Sequence, residues 1–288
     1  MSITDVGREK KMDTKEQIQN NRNFCKSLFG EEGEPSDQQK RLPQPPLCKP
    51  AQSQERIPLD RDFRSVITEP DFLTVLQRRV SQRFYRDAPI SLGQLSFLLW
   101  ATQGVKSIRG NHYATLRTVP SGGARHAFET YLAVRLVEGL APGVYHYLPL
   151  EHALEPVGPL ENPAGQIIAA MDGQGWTGGC AAAFFYSFVP YRAEWRYSVS
   201  AHRVALLDAG HVVQNLYLAC EAVGCGTCAV AAIDQKEADG LCRLDGEEEF
   251  IVYAAPVGLS DPQKNIEGNQ QMYTQTILQS NAIKPLEK

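Results

Sequence analysis

Two short stretches, about forty residues apart, carry side chains that bind and react. The first, Arg78-Arg79-Val80-Ser81-Gln82-Arg83-Phe84-Tyr85, gathers three guanidinium groups around a serine. A guanidinium stays charged at any working pH, and its planar fork grips two phosphate oxygens at once. The second is Pro120-Ser121-Gly122-Gly123-Ala124-Arg125-His126. Its paired glycines lack a Cβ, so the backbone can approach a flat ligand and aim N–H groups at it. Cations also suit the carboxyl end of a helix, and Pro-Ser-Gly-Gly also suits a plain turn before a strand. It is the combination that predicts a site for a phosphorylated planar cofactor.

Other reactive side chains carry less. Gly224-Cys225-Gly226-Thr227-Cys228 holds a C-x-x-C. It follows a long helical pattern and leads into an apolar run, whereas a redox dithiol opens a helix after a strand. A tight turn with buried thiols is the expectation. The six histidines show no zinc-ligand spacing with the cysteines, so no metal is expected. His202 and His211 fall on the long helix as hydrogen-bonded structural residues, and His126 adjoins the glycine loop. Arg192, Glu194, Arg196 and Tyr197 form a charged loop before that helix, placed to rim a pocket. No G-x-G-x-x-G, Walker loop or G-x-S-x-G elbow is present.

The elements that position these residues follow from periodicity. Asp71 to Arg79 reads as a helix with Phe72, Val75 and Leu76 on one face. Ser91 caps a second helix running through Trp100 to Gln103, and Gly104 ends it. Residues 128–137 and 144–147 read as paired strands around Pro142-Gly143, and Ala182 to Val189 as a strand buried on both faces. Ser200 to Val223 is the longest helix, apolar almost all round and therefore bound for a core or a subunit interface. Ile233 to Leu244 reads as a short helix and Glu249 to Val257 as the last strand.

The chain has 288 residues, 43% hydrophobic and 22% charged, with a net charge of −4. That suits one large globular domain and, with no basic stripe, argues against a nucleic-acid partner. No signal peptide and no membrane-length apolar run is visible, so the expected location is the cytoplasm. Seven irregularly spaced cysteines suit free thiols. Residues 1–65 are polar, with prolines at 43, 45, 46, 50 and 58, and read as an extended or partly disordered leader. Residues 66–262 form the folded domain, and 263–288 a polar tail.

Taken in order, Arg79-x-Ser81-x-Arg83-x-Tyr85, Leu98-Leu99-Trp100-Ala101-Thr102-Gln103-Gly104, Pro120 to His126 and Leu207-Asp208-Ala209-Gly210-His211-x-x-Gln214-Asn215-Leu216 resemble the nitroreductase superfamily. Within it they are most similar to the SagB/ThcOx-type dehydrogenase branch. The resemblance runs from about residue 70 to 260. It implies an α+β fold, a central, mostly antiparallel sheet flanked by helices, in an intertwined homodimer with FMN bound between subunits. It implies that Arg78, Arg79, Ser81 and Arg83 hold the phosphate and ribityl chain and that Pro120, Ser121, Gly122 and Gly123 line the isoalloxazine ring. Val230, Ala231 and Ala232 would bring a backbone N–H to flavin N5, with Gln214, Gly224 and Gly226 completing the wall. Hydride then moves to or from N5. The expected activity is NAD(P)H-driven reduction of a small nitro or quinone electrophile. The alternatives are a peptide thiazoline or oxazoline dehydrogenase, and a non-catalytic flavin-fold scaffold in a peptide-modification complex. Azole-forming members resemble one another in a Lys-Tyr pair where this chain has Arg196-Tyr197. An arginine is a poor general base. Tyr197 remains the expected acid or hydrogen-bond donor.

Overall fold

The computed structural model describes residues 13–27, 29, 34–268, 270 and 271. The start of the expected leader and most of the expected tail lie outside the described residues. The helices are α1 (Thr14–Phe24), α2 (Phe72–Arg78), α3 (Leu92–Gln103), α4 (Pro163–Ala170), α5 (Pro190–Tyr197), α6 (Ala201–Ala222) and α7 (Gln235–Cys242). The strands are β1 (Ile57–Pro58), β2 (Val105–Arg109), β3 (Ala114–Arg117), β4 (Phe128–Val134), β5 (Gly143–Leu148), β6 (Ala153–Pro159), β7 (Ala182–Phe188), β8 (Cys225–Thr227) and β9 (Phe250–Leu259). Seven strands form one sheet in the order β1-β6-β5-β4-β7-β9-β8, and every pairing in it is antiparallel. β2 and β3 make a separate hairpin.

Side chains alternate across the central strands and feed two cores. Leu132, Val134, Phe184, Tyr186, Ala255 and Val257 face one core together with α3 and α6. Tyr131, Ala133, Phe185 and Ala254 face the other, with Ile167 and Met171 by α4 and Ala238 and Cys242 of α7. Helices on both sides explain why β7 is apolar without alternation. α3 starts in a capping box, in which Ser91 accepts from the Gln94 N–H and the Gln94 side chain accepts from the Ser91 N–H.

Several expectations shift at this level. The strand from 128 stops at Val134, because Arg135 and Leu136 turn their N–H groups to the Ala181 carbonyl. The charged loop before the long helix is itself helical, α5, opened by Pro190 at its first turn. On α2 only Val75 is buried, while Phe72 and Leu76 are 64% and 47% exposed. A seven-residue helix laid on α6 covers one side chain in its two turns.

The leader contains α1, which buries none of its residues. Residues 34–58 lie along the body. The Lys49 N–H donates to Glu129 at 2.6 Å, and its ammonium reaches Glu249 at 2.6 Å and the Tyr131 hydroxyl at 2.8 Å. The N–H groups of Gln52 and Ser53 both donate to Glu155, and Arg117 donates to the Leu47 carbonyl. Beneath them Arg192 pairs with Glu129 at 2.5 Å, and His146 stands between Glu155 at 2.8 Å and Glu129 at 3.4 Å. Buried carboxylates need such partners, and the leader's backbone supplies part of them. Among the described residues no helix is long and apolar enough to cross a membrane.

Candidate functional site

α6 is the spine of the site, and the two sequence motifs lie along it nine positions apart, about 13 Å at the helical rise. Near its carboxyl end the Tyr217 hydroxyl bonds Ser81 Oγ at 3.1 Å and accepts the Ala229 N–H at 2.8 Å. The Arg79 guanidinium lies over the Tyr217 ring, 5.5 Å from its centroid, and Arg83 lies 5.8 Å from the centroid of Trp176. Neither Arg79 nor Arg83 has a carboxylate within salt-bridge distance among the described residues. Arg78 differs, because it is taken by Glu69 at 3.0 Å. The turn behind them is tight. The Gln82 N–H donates to the Thr227 carbonyl, and a Cβ on Gly226 would fall closer than 3.0 Å to the Gln82 side chain. Gly224 takes φ +72°, a left-handed conformation that ends α6.

Val230 exchanges backbone hydrogen bonds with Ala254 in both directions. Its N–H is therefore occupied, and of the 230–232 stretch Ala231 and Ala232 are the exposed residues. Gln214 is also exposed, on the α6 face between the two motifs.

At the other end Asp208 anchors the glycine loop. Ser121 donates its hydroxyl to Asp208 at 2.6 Å, and the Gly122 N–H donates to the same carboxylate at 3.1 Å. The Gly122 N–H is thus turned into the protein rather than toward a ligand. Burial pushes the Asp208 carboxyl up, partly offset by these two donors. Gly123 has φ +55°, where a Cβ is strained and would meet Arg196 and Tyr197 closer than 3.0 Å. Pro120 is exposed at the loop's start. His126 is buried, and burial plus the guanidiniums of Arg117, Arg125 and Arg192 hold its pKa down at about 3. It is a neutral imidazole at working pH.

Arg196 and Tyr197 stand against this loop, as the last turn of α5. The Arg196 Nη1 donates to the Tyr113 hydroxyl at 2.9 Å and the Gln38 side-chain oxygen at 3.2 Å, and its guanidinium lies 5.5 Å from the Tyr197 centroid. Burial alone would lower its pKa, but Tyr197 and Tyr113 raise it. Arg196 therefore stays charged.

Tyr113, Gln38, Asp208, Tyr217 and Trp176 are site residues that sequence reasoning missed. Asp208 fell inside a quoted motif without a role, because a buried loop-anchoring carboxylate reads like any helical acid. Tyr113 lies on a hairpin and Gln38 in the leader, and neither segment carries periodicity. The C-x-x-C thiols are buried, and burial pushes Cys225 up to about 12, against thiolate chemistry.

The family model for nitroreductases matches residues 76–259, a span holding α6 and both motifs. The chain belongs to the nitroreductase family. It is 32% identical over 185 residues to MJ1384 of Methanocaldococcus jannaschii, a protein named as a nitroreductase, covering 64% of this chain and 88% of that one. It is 26% identical over 173 residues to the microcin B17-processing protein McbC of Escherichia coli, covering 56% of this chain and 63% of McbC. Among solved structures, the E. coli microcin synthetase McbBCD complex with truncated pro-MccB17 bound contains a chain that superposes with TM-score 0.56 at 20% identity. That superposition covers 85% of this chain and 92% of the other. A structure from Ralstonia eutropha named as a nitroreductase superposes with TM-score 0.54 at 24% identity, covering 74% of this chain and 98% of that one, and shows the nitroreductase-like fold.

Proposed function

We propose that this nitroreductase-family protein is an FMN-dependent oxidoreductase of the SagB/ThcOx type, working as a homodimer. The observation that carries it is the pair of guanidiniums, Arg79 and Arg83, stacked on aromatic rings with no carboxylate within 4.0 Å among the described residues, beside Ser81. Such a donor set suits a phosphate. The residues present therefore fit the phosphate end of a mononucleotide, and the glycine loop at the far end of α6 fits its flat ring. Bound flavin supplies hydride transfer at N5. Arg79, Ser81 and Arg83 bind the phosphate and ribityl chain. The backbone N–H groups of the exposed Ala231 or Ala232 would serve the ring, with Gln214, Gly224 and Gly226 along the wall. Arg196 supplies positive charge beside Pro120 to Gly123. In the proposed homodimer each flavin would take its contacts from both subunits.

The substrate reading favoured here is dehydrogenation of a thiazoline or oxazoline in a peptide. Its support is the 26% identity over 173 residues to the microcin B17-processing protein McbC. The second reading, reduction of a nitro or quinone electrophile with NAD(P)H, is supported by the 32% identity to MJ1384. An absorbance spectrum of the purified protein tests the cofactor: a yellow protein is expected, and a colourless one that ignores added FMN sinks the proposal. Anaerobic bleaching by a thiazoline peptide supports the first substrate, and bleaching by NADPH supports the second.

A further inference from the structure

Tyr113 sits at the tip of the β2–β3 hairpin, more than a third exposed. The tip is tied to the glycine loop by one side chain. Arg125 donates from Nη2 to the Tyr113 carbonyl and from Nε to the Gly123 carbonyl, both at 3.0 Å. Its guanidinium is held between two rings, 4.9 Å from the Tyr113 centroid and 5.4 Å from that of Trp195. The Tyr113 hydroxyl oxygen faces two donors, Gln38 Nε2 at 3.0 Å and Arg196 Nη1 at 2.9 Å. The charged groups turned toward this phenol from the packed elements are Arg125 and Arg196, with Tyr197 on the far side of Arg196. Two cations and an amide donor favour the phenolate over the phenol.

We propose that Tyr113 is the proton-transfer group of this site, placed by Arg125, Arg196 and Gln38 to take the proton an azoline ring gives up during oxidation. This rests on the flavin reading above. The ring α-carbon loses its hydrogen as a proton to the Tyr113 oxygen, and that C–H electron pair becomes the new ring double bond. The ring β-carbon passes its hydrogen, with both electrons, to the bound flavin as oxidant. The phenol returns the proton to solvent from its exposed edge. Arg196 cannot do this work itself, since a guanidinium does not deprotonate. Its role is that of a positioning residue. Burial by itself would raise the Tyr113 pKa, yet the Gln38 amide, Arg196 and Arg125 outweigh it and bring the pKa below the ordinary value.

The test uses the full chain, with Tyr113→Phe and Gln38→Ala. In the flavin-free protein, ultraviolet difference titration should show one tyrosine ionising below the ordinary value of about 10. That step should vanish in Tyr113→Phe and move to higher pH in Gln38→Ala. With FMN added and a thiazoline peptide as substrate, Tyr113→Phe should keep its flavin spectrum and lose about 100-fold in kcat. Gln38→Ala should keep flavin and shift the rising limb of the pH–rate profile upward. Tyr113→Phe with flavin bound, full turnover and an unchanged tyrosine titration overturns the proposal. Failure of the wild-type chain to bind FMN is a different result: it overturns the flavin reading, and the titration is read without it.

Discussion

At the scale of single residues, the glycine loop is governed by one backbone angle and one carboxylate. Gly123 sits at φ +55° with Arg196 and Tyr197 packed against its open side. Replacing it with alanine places a Cβ in a left-handed conformation, at a cost of about 1–2 kcal/mol, and pushes Arg196 off Tyr113. Gly123→Ala should lower the melting temperature and weaken FMN binding measured by flavin fluorescence quenching. A control at Gly173, also left-handed but open on all sides, should show the backbone cost without the binding loss. Asp208 acts on the same loop from α6. Asp208→Ala removes the acceptor for Ser121 and Gly122 and should loosen the loop, which raises KM for substrate more than it lowers stability. Steady-state kinetics beside thermal melts check that split. Much of this was legible beforehand. Arg79, Ser81, Arg83, Ser121 and the two glycines announce themselves by type and spacing. Tyr113 does not, because its meaning comes from Arg125, Arg196 and Gln38, and these reach it from 12, 83 and 75 residues away.

At the scale of elements, the sheet carries a buried ionic layer that the leader closes. His146 has a carboxylate on each ring nitrogen, Glu155 at 2.8 Å and Glu129 at 3.4 Å. Burial alone would lower its pKa, but both carboxylates together raise it above the ordinary 6.5. Burial would raise Glu155, yet His146 and the N–H groups of Ser53 and Gln52 lower it. The signs follow from linkage. A raised histidine stabilises fully below its unfolded pKa and loses that contribution as pH rises through its folded value. A lowered carboxylate stabilises above its unfolded pKa and loses that contribution as pH falls. Stability should therefore plateau between the ordinary values of 4.5 and 6.5 and fall toward alkaline pH. His146→Gln should flatten the alkaline fall, as read by urea denaturation across pH. The strap itself is tested at Lys49, whose ammonium reaches Glu249 at 2.6 Å. Lys49→Ala removes the cation from a mostly buried carboxylate, leaving it only the hydroxyls of Tyr131 and Ser187, and should cost about 3 kcal/mol. Here the sequence was less informative. The leader's prolines announce an extended path, but the partners that fix it are Glu129, Glu155 and Glu249, acids that read as ordinary strand and loop residues. The hairpin β2–β3 escaped for a similar reason, since its exposed face lacks a hydrophobic rhythm, whereas α3 and α6 were readable from their apolar spacing and caps.

At the scale of the whole molecule, the question is what α6 does with its outer face. A helix apolar almost all round buries one side in the core, through Ala205, Val212, Val213 and Leu216. Its other side leaves Leu206 and Leu207 more than half exposed, and Val199 just before it is 63% exposed. Gly210, in the middle of that side, has nothing within 4 Å of where its Cβ would be. Phe72, Leu73 and Leu76 of α2, which packs on α6, are exposed as well. One chain therefore shows water a leucine-rich helix face carrying a small residue at its centre, which is the surface a second helix packs into. The same face carries Gln214 and Tyr217, whose hydroxyl meets Ser81 of the arginine motif, while Asp208 holds the glycine loop from the buried side of the helix. A homodimer closing over α6 would bury these side chains and bring the two halves of the proposed flavin site together from different subunits. The expected outcome for Leu207→Glu is a folded monomer by sedimentation, because the substitution is made at an exposed position and removes no core contact. That monomer should also lose FMN, although Leu207 lies in neither binding motif. A Leu207→Glu protein that is monomeric yet binds FMN as tightly as wild type would show each chain holding its flavin alone, and the shared site would have to be abandoned.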